Sequence, residues 1–458
     1  MQSKHLSIPS NLKLGLFHLG SGMADVLTTG VWNRIMISDL GFQATPIGLL
    51  VSLRYFLAPL SVWAGRMSDQ TALGGYRRMF WIGLGRLMMG ISMLVMGFIT
   101  AQLVAGASAS VLVWVGLTLA LGLFSLGNAF SGSTFLALIY DRTPEHQRGR
   151  AVGIVWTFLL TGFAVGGAFF GILLPSDPNV LSANEFGYSA QTLLTLFVVS
   201  SMLISGLWVL SMWGAERRNG AFDVSESSEH ATSFREDMRA VLGNHPTRMF
   251  MGYLILSMLF AFSQDLILEP FAADVLNMSA SVTSRFSAYW GTTAIIGSLV
   301  CIVLSRRWSR FNNTLMSKYG VFILVIAFGV FAYSALAYTD TYMMLGLLAL
   351  GVGLGMWNIG TLGLMMEMSP DGRAGTYLGF WTLVVTLARG VGVSGGGIVR
   401  DLVLGTSGDL AIAYGVVFVI GAVGLIASYV FLMQTDARAF RMKVSQLDTA
   451  QMIGAGLD

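Results

Sequence analysis

Asp141-Arg-Thr-Pro144, with Arg148-Gly149 and Gly153 after it, returns later in the chain as Glu367-Met-Ser-Pro370, with Arg373, Gly375 and Gly379. The acid, the proline and both glycines keep one constant offset, which marks a duplicated unit. Each copy follows a long apolar run, so what is duplicated is a set of membrane-crossing segments; one crossing takes about 20 mostly apolar residues. Around the first copy such runs occupy Leu14–Ser38, Pro46–Gly65, Met79–Thr100, Val111–Tyr140, Ala151–Leu174 and Thr192–Trp213. Around the second they occupy Met249–Val275, Phe286–Ser305, Tyr319–Tyr338, Tyr342–Met366, Thr376–Val399 and Leu410–Met433. This predicts an all-α membrane protein of twelve transmembrane helices in two pseudo-symmetric six-helix bundles. The halves are expected at 1–215 and 248–435, with a linker at 216–247 and a tail at 436–458.

Composition agrees. Of 458 residues, 54% are hydrophobic and 11% charged, and mean hydropathy is +0.69. A soluble domain carries roughly 25% charged residues, so this supply fits a lipid-facing surface. The 55 glycines fall largely inside apolar runs, where they let helix backbones approach. Cys301 is the sole cysteine, which rules out an internal disulfide. Met1 to Leu14 lacks the basic start, short apolar core and cleavage site of a signal peptide, so the first apolar run is expected to be a retained helix.

The basic residues are sorted by side. Arg66, Arg77, Arg78, Arg142, Arg148, Arg150, Arg306, Arg307, Arg310 and Arg373 fall in loops at one face, with both chain ends; the other face has only Arg285 and Arg400. That asymmetry predicts cytoplasmic termini. It also accounts for the net charge of +3 without a nucleic-acid partner. In the linker, Ser233 and Glu236 form a capping box ahead of Phe234, Met238, Val241 and Leu242, which predicts a short amphipathic helix on the membrane surface.

Two loop motifs resemble those of the major facilitator superfamily: Gly65-Arg-Met-Ser-Asp69 with Gly75-Tyr-Arg77-Arg78, and Pro144 with Arg148-Gly149. They are read as a gating latch, in which Asp69 meets a helix N-terminus or an arginine across the halves. Three further stretches resemble the PucC-type bacteriochlorophyll delivery family. They are Phe17-His-Leu-Gly20-Ser-Gly22-Met-Ala24 running to Thr29-Gly30-Val-Trp-Asn33-Arg34-Ile-Met36, then Gln264-Asp265-Leu-Ile-Leu268-Glu269-Pro270-Phe271, then Gly395-Gly-Gly-Ile-Val-Arg400-Asp401. Arg389 departs from that pattern, where a small or apolar residue is expected. The resemblance implies a protein of the inner or photosynthetic membrane, carrying (bacterio)chlorophyll as cargo during assembly of light-harvesting or reaction-centre polypeptides.

Charges inside the spans are Asp25, Arg34, Arg54, Arg86, Asp265, Glu269 and Arg389. Each costs a few kcal/mol in lipid, so each either pairs to fix helix register or serves a ligand or coupled ion. Arg34, Asp265, Glu269, Asn33, Gln264 and Arg389 are the candidates for the second role. Asp265 and Glu269 stand at i,i+4, which places both carboxylates on one helical face. Arg34 and Glu269 fall at equivalent depth in the repeat, which predicts that they pair. His18, the one histidine within a span, either ligates a chlorophyll magnesium or packs between helices with a hydrogen bond. Trp32, Phe271 and Trp290 offer stacking surfaces for a pigment.

Enzyme motifs are missing. Gly351-Val-Gly353-Leu-Gly355 lies inside a span with no strand before it, and no lysine stands in a Gly-Lys-Ser/Thr context, so nucleotide-loop readings fail. No metal-ligand spacing and no serine–histidine arrangement appears. Pigment delivery, proton-coupled transport of a small solute through Asp265 and Glu269, and a non-transporting assembly scaffold all remain open at this stage.

Overall fold

The protein's structure, a computed structural model, describes residues 8–144, 147–174, 188–216, 245–308, 310–369 and 374–435. The linker helix expected near Ser233, the tail at 436–458, and Pro370 to Arg373 lie outside the described residues.

Among the described residues, ten helices are long and apolar enough to cross a bilayer by themselves. The second to sixth spans are Ala44–Gln70, Met79–Val104, Val111–Arg142, Arg148–Leu173 and Ala190–Met212. The eighth to twelfth are Ala280–Arg307, Asn313–Leu336, Met343–Glu367, Ala374–Ser407 and Leu410–Met433. The first and seventh, which correspond in the repeat, are both irregular. The first runs as Ile8–Val26, widens into a π turn at Leu27–Val31, and widens again at Ile35–Asp39. The seventh runs as His245–Ala261, unwinds, and resumes as Leu268–Asp274. Each interruption frees backbone groups inside the membrane, and such groups persist only where protein or a cavity satisfies them.

Packing repeats between the halves. The first span lies on the fifth and sixth as the seventh lies on the eleventh and twelfth, and the third lies on the fourth as the ninth lies on the tenth. The halves meet through two related contacts, second span on eleventh and fifth on eighth.

Span eleven explains its own glycine-rich ending. A Cβ on Gly396 would lie 2.1 Å from the Ser263 carbonyl oxygen, at the break in span seven. One on Gly397 would lie 2.7 Å from the Ala44 carbonyl oxygen, at the start of span two. Gly171, at the repeat-equivalent position in span five, meets the Ser281 carbonyl at the start of span eight in the same way. Only glycine lets backbones come this near. Past the glycines, Asp401 accepts hydrogen bonds from the backbone N–H of Ala44 (3.1 Å) and Thr45 (2.7 Å). Span two has no side-chain cap of its own, so the opposite half supplies it. With Ser38 donating to the Pro270 carbonyl and Ser281 to that of Gly171, these bonds seal the end of the molecule away from the arginine-rich loops.

Asp401→Ala should therefore loosen this end, at a cost of about 1 kcal/mol, the usual worth of a helix cap. With the sole cysteine replaced (Cys301→Ser) and Thr45→Cys as reporter, maleimide labelling should rise several-fold on adding Asp401→Ala. Unchanged labelling would show that the cap does not hold the seal.

Candidate functional site

Between the seal and the arginine-rich face, the halves enclose a cavity of about 360 Å³. Its wall is aromatic: Tyr55, Trp156, Phe163, Phe262, Trp290 and Trp357 all line it. Trp290 packs on Phe163, ring centroids 5.1 Å apart, and so joins the halves across the cavity. Of the earlier stacking candidates only Trp290 is here. Trp32 is fully buried and donates its indole N–H to Thr100, and Phe271 packs against Phe418 and Tyr414.

The cavity's charges come as two ion pairs and one lone acid. Arg54 meets Asp25 at 2.7 Å within the first half, and Arg389 meets Asp265 at 2.8 Å within the second. Tyr55 stands between them: its hydroxyl accepts from Arg54, and the Arg389 guanidinium lies 5.1 Å from its ring centroid. Phe262 holds the other side of Arg389, 3.9 Å from its ring. The arginine that departs from the family pattern is thus tied down by a carboxylate and two rings. Gln264 donates to Asp265 at 2.6 Å.

Glu269 differs. It lines the cavity with no basic partner among the described residues, its carboxylate against Gly30 in the first π turn. A Cβ at Gly30 would lie 3.3 Å from Glu269 Oε1, so the missing side chain makes room for the acid.

Four of the six sequence candidates line this cavity: Gln264, Asp265, Glu269 and Arg389. Asn33 does not. It is fully buried and donates to the Leu266 carbonyl at 2.6 Å, satisfying the broken backbone of span seven. The expected Arg34–Glu269 pair is also absent. Arg34 binds Asp39 at 2.5 Å and the Met278 carbonyl at 3.3 Å. Equal depth in the repeat misled here because two π turns rotate the first span, and Asp39 lies within reach on the same helix. The unwound stretch likewise corrects the i,i+4 reading: Asp265 sits in the break and Glu269 in the helix beyond it, though both reach the cavity. His18 stands outside the lining, its ring 5.2 Å from Phe135 and 6.0 Å from Trp156, with a buried Nδ1 that has no hydrogen-bond partner. It packs without the expected hydrogen bond at that atom.

At the arginine-rich face, Asp69 bonds Arg78 at 2.5 Å and Arg77 at 3.4 Å, and Arg78 reaches Asp141 at 3.0 Å. The helix N-terminus expected for Asp69 goes to Glu216 instead, which accepts from the backbone N–H of Arg77, Arg78 and Met79. Among the described residues these contacts tie the second, third, fourth and sixth spans together inside the first half, and none crosses to the second. A Cβ on Gly65 would meet the Ser133 hydroxyl oxygen at 3.9 Å, so this glycine is not forced by tight packing; the surroundings of Arg148 and Gly149 lie outside the described residues.

Sequence reasoning missed a second correspondence. Asp39 accepts from Tyr188 and Arg34, and Asp274 accepts from Tyr414 (2.6 Å) and Arg400 (3.4 Å). Tyr188 and Tyr414 are related by the same offset as Asp141 and Glu367, so extending the repeat would have found them. Burial and the Asp39 carboxylate push the Tyr188 phenol well above its ordinary value, which keeps it a donor. The arginines come from different spans, first and eleventh, so only the acid and tyrosine are symmetric.

Two six-span bundles around a midplane cavity, entered by paired irregular helices, define a major facilitator fold. The chain belongs to the PUCC protein family, whose model matches residues 31–440. It is 30% identical to Protein PucC of Cereibacter sphaeroides over 87% of this chain and 85% of that one. It is also 30% identical to the bacteriochlorophyll synthase 44.5 kDa chain of Rhodobacter capsulatus, over 94% and 95%. In fold it is similar to a bacterial homologue of the human lysosomal transporter Spinster, crystallised inward-facing and unoccupied, at a TM-score of 0.66 and 16% identity over 96% of this chain and 98% of that one.

Removing one member of a buried ion pair costs about 3–5 kcal/mol, because the other is stranded. Asp265 and Arg389 are part-buried, with side chains 15% and 28% exposed, so Asp265→Asn and Arg389→Met should each destabilise the protein by less than that, with the double variant less affected than the two losses added. Arg34→Met and Glu269→Gln should add without coupling. Thermal unfolding in detergent distinguishes these cases, and coupling between Arg34 and Glu269 would contradict the geometry.

Proposed function

We propose that this protein carries (bacterio)chlorophyll, or its tetrapyrrole precursor, to antenna or reaction-centre polypeptides during assembly of a photosynthetic complex in the inner membrane. The observation that carries this reading is the aromatic wall of the cavity in a chain of the PUCC family. Flat rings on Tyr55, Trp156, Phe163, Phe262, Trp290 and Trp357 suit a flat macrocycle, and aromatic pairs stack most favourably when offset or edge-on. The paired charges neutralise one another, which leaves Glu269 as an acid without a basic partner among the described residues, open to a polar ring substituent. In this reading the arginine-rich face is cytoplasmic, following the bias of basic loops, and loading occurs from that side while the far end is sealed. We read the chain as a carrier and not an enzyme, in keeping with its transporter-like neighbours in fold.

The unpartnered carboxyl of Glu269 favours one second reading. A lone acid at a cavity between two rocking halves is the arrangement that takes up and releases a proton, so uptake of a small solute could be coupled through it.

The absorption spectrum of the protein purified in mild detergent from its native membrane separates the two. Delivery predicts a chlorophyll-type band near one pigment per chain, lost in Trp290→Ala and reduced at least several-fold in Glu269→Gln. His18→Leu should keep the band, since His18 lies behind Trp156 and outside the cavity. A colourless protein that accumulates solute with proton uptake would establish the second reading instead.

A further inference from the structure

A second cavity, of about 560 Å³, lies on the outer surface of the first half between the third and sixth spans. Its lining is almost wholly apolar: Ile82, Leu87, Ile91 and Leu94 on one side, Met202 and Val209 on the other. Several of these are more than half exposed, Leu87 at 61% and Met202 at 68%, so the groove faces lipid along its length.

At its floor is a cation. Arg86 lines the groove yet is only 6% exposed, and it has no carboxylate partner among the described residues. Its guanidinium lies 3.8 Å from the Phe17 ring centroid and 4.5 Å from that of Trp208. Cation–π contact offsets part of the cost of burying the charge, but rings take the face of a guanidinium and leave its edge. Of five N–H donors, one is directed to Met89 Sδ at 3.2 Å, a weak acceptor, and Nε has no partner. Arg34, Arg54, Arg389 and Arg400 each meet a carboxylate. This one lacks an anion.

Depth says where the anion comes from. Arg86 lies seven residues into a helix that starts at Met79, about 10 Å along its axis at 1.5 Å per residue. Met79 and Trp213 form the rim at the arginine-rich face. A ligand with its head at Arg86 therefore has its tail toward Leu94, parallel to the acyl chains of one leaflet.

We propose that this groove binds an anionic phospholipid, whose phosphate pairs with Arg86 and whose acyl chain lies between the third and sixth spans. The head satisfies the free guanidinium edge, and the chain covers apolar surface that ordinary lipid would cover loosely. Because the sixth span leads into Glu216, which caps the third span, a lipid here braces the same pair of helices as that cap.

Native mass spectrometry on the detergent-purified full chain tests this, with phosphatidylglycerol and diacylglycerol of matched acyl chains as probes. The wild type should retain one phosphatidylglycerol at least tenfold more tightly than diacylglycerol, and millimolar inorganic phosphate should not displace it. Arg86→Met, which keeps the stem, should abolish that preference. Gly83→Leu is the independent variant: Gly83 lines the groove with open space at its Cβ position, so leucine fills the groove without disturbing Arg86 or the fold. It should lower phosphatidylglycerol retention to the same degree. Equal retention of the two probes by the wild type, or undiminished phosphatidylglycerol binding in Gly83→Leu, would overturn the proposal. Displacement by inorganic phosphate alone would do so too, since it would make Arg86 a site for a free anion.

Discussion

Broken backbone in the membrane must be satisfied by protein, and this molecule is organised around that requirement. Span seven unwinds at the level of Asp265, freeing carbonyls to which lipid offers no donor. Asn33 of the other half donates to one of them at 2.6 Å, and Gly396 lets span eleven lie directly on another. The unwinding then turns Asp265 and Glu269 into the cavity from two short segments, which a continuous helix would hold as neighbours on one face. The cavity, its acids and the seal therefore share one cause.

The fold was legible in the sequence because its signals are repetitive and large in energy. Twelve apolar runs, a duplicated motif and a one-sided distribution of arginine each report on hydrophobic burial or charge transfer, and neither depends on fine geometry. The glycine-rich ending of span eleven was legible as a motif, and its meaning came only with the carbonyls of Ser263 and Ala44 opposite it. Gln264, Asp265, Glu269 and Arg389 were found for the same energetic reason: charge or its hydrogen-bond partner inside a span must face something other than lipid.

What the sequence did not disclose depends on rotation about helix axes. Arg34 and Glu269 share a depth, yet two π turns direct Arg34 to Asp39, and depth without azimuth does not identify a partner. Trp32 failed as a cavity residue for the same reason. Asp69 failed differently: its motif predicts a charged contact, and the contact exists, but with Arg77 and Arg78 of its own loop. Tyr188 and Tyr414 were recoverable from the repeat, since they carry the offset already read from Asp141 and Glu367.

The distribution of strong and weak bonds suits a molecule whose halves move. Every ion pair between described residues lies inside one half: Asp25 with Arg54 and Arg34 with Asp39 in the first, Asp265 with Arg389 and Asp274 with Arg400 in the second. Besides the packing of the second span on the eleventh and the fifth on the eighth, the polar contacts between halves are hydrogen bonds to backbone groups, those of Asn33, Ser38, Ser281, Asp401 and Arg34, with ring contacts in the cavity. A buried ion pair costs about 3–5 kcal/mol to break by stranding one partner, whereas an ordinary hydrogen bond contributes about 1 kcal/mol net. Opening the sealed end would therefore break helix packing and a few hydrogen bonds and leave every described ion pair intact within its half. Glu269, which no described basic residue holds, faces Gly30 of the other half, so its surroundings depend on how the halves sit against each other.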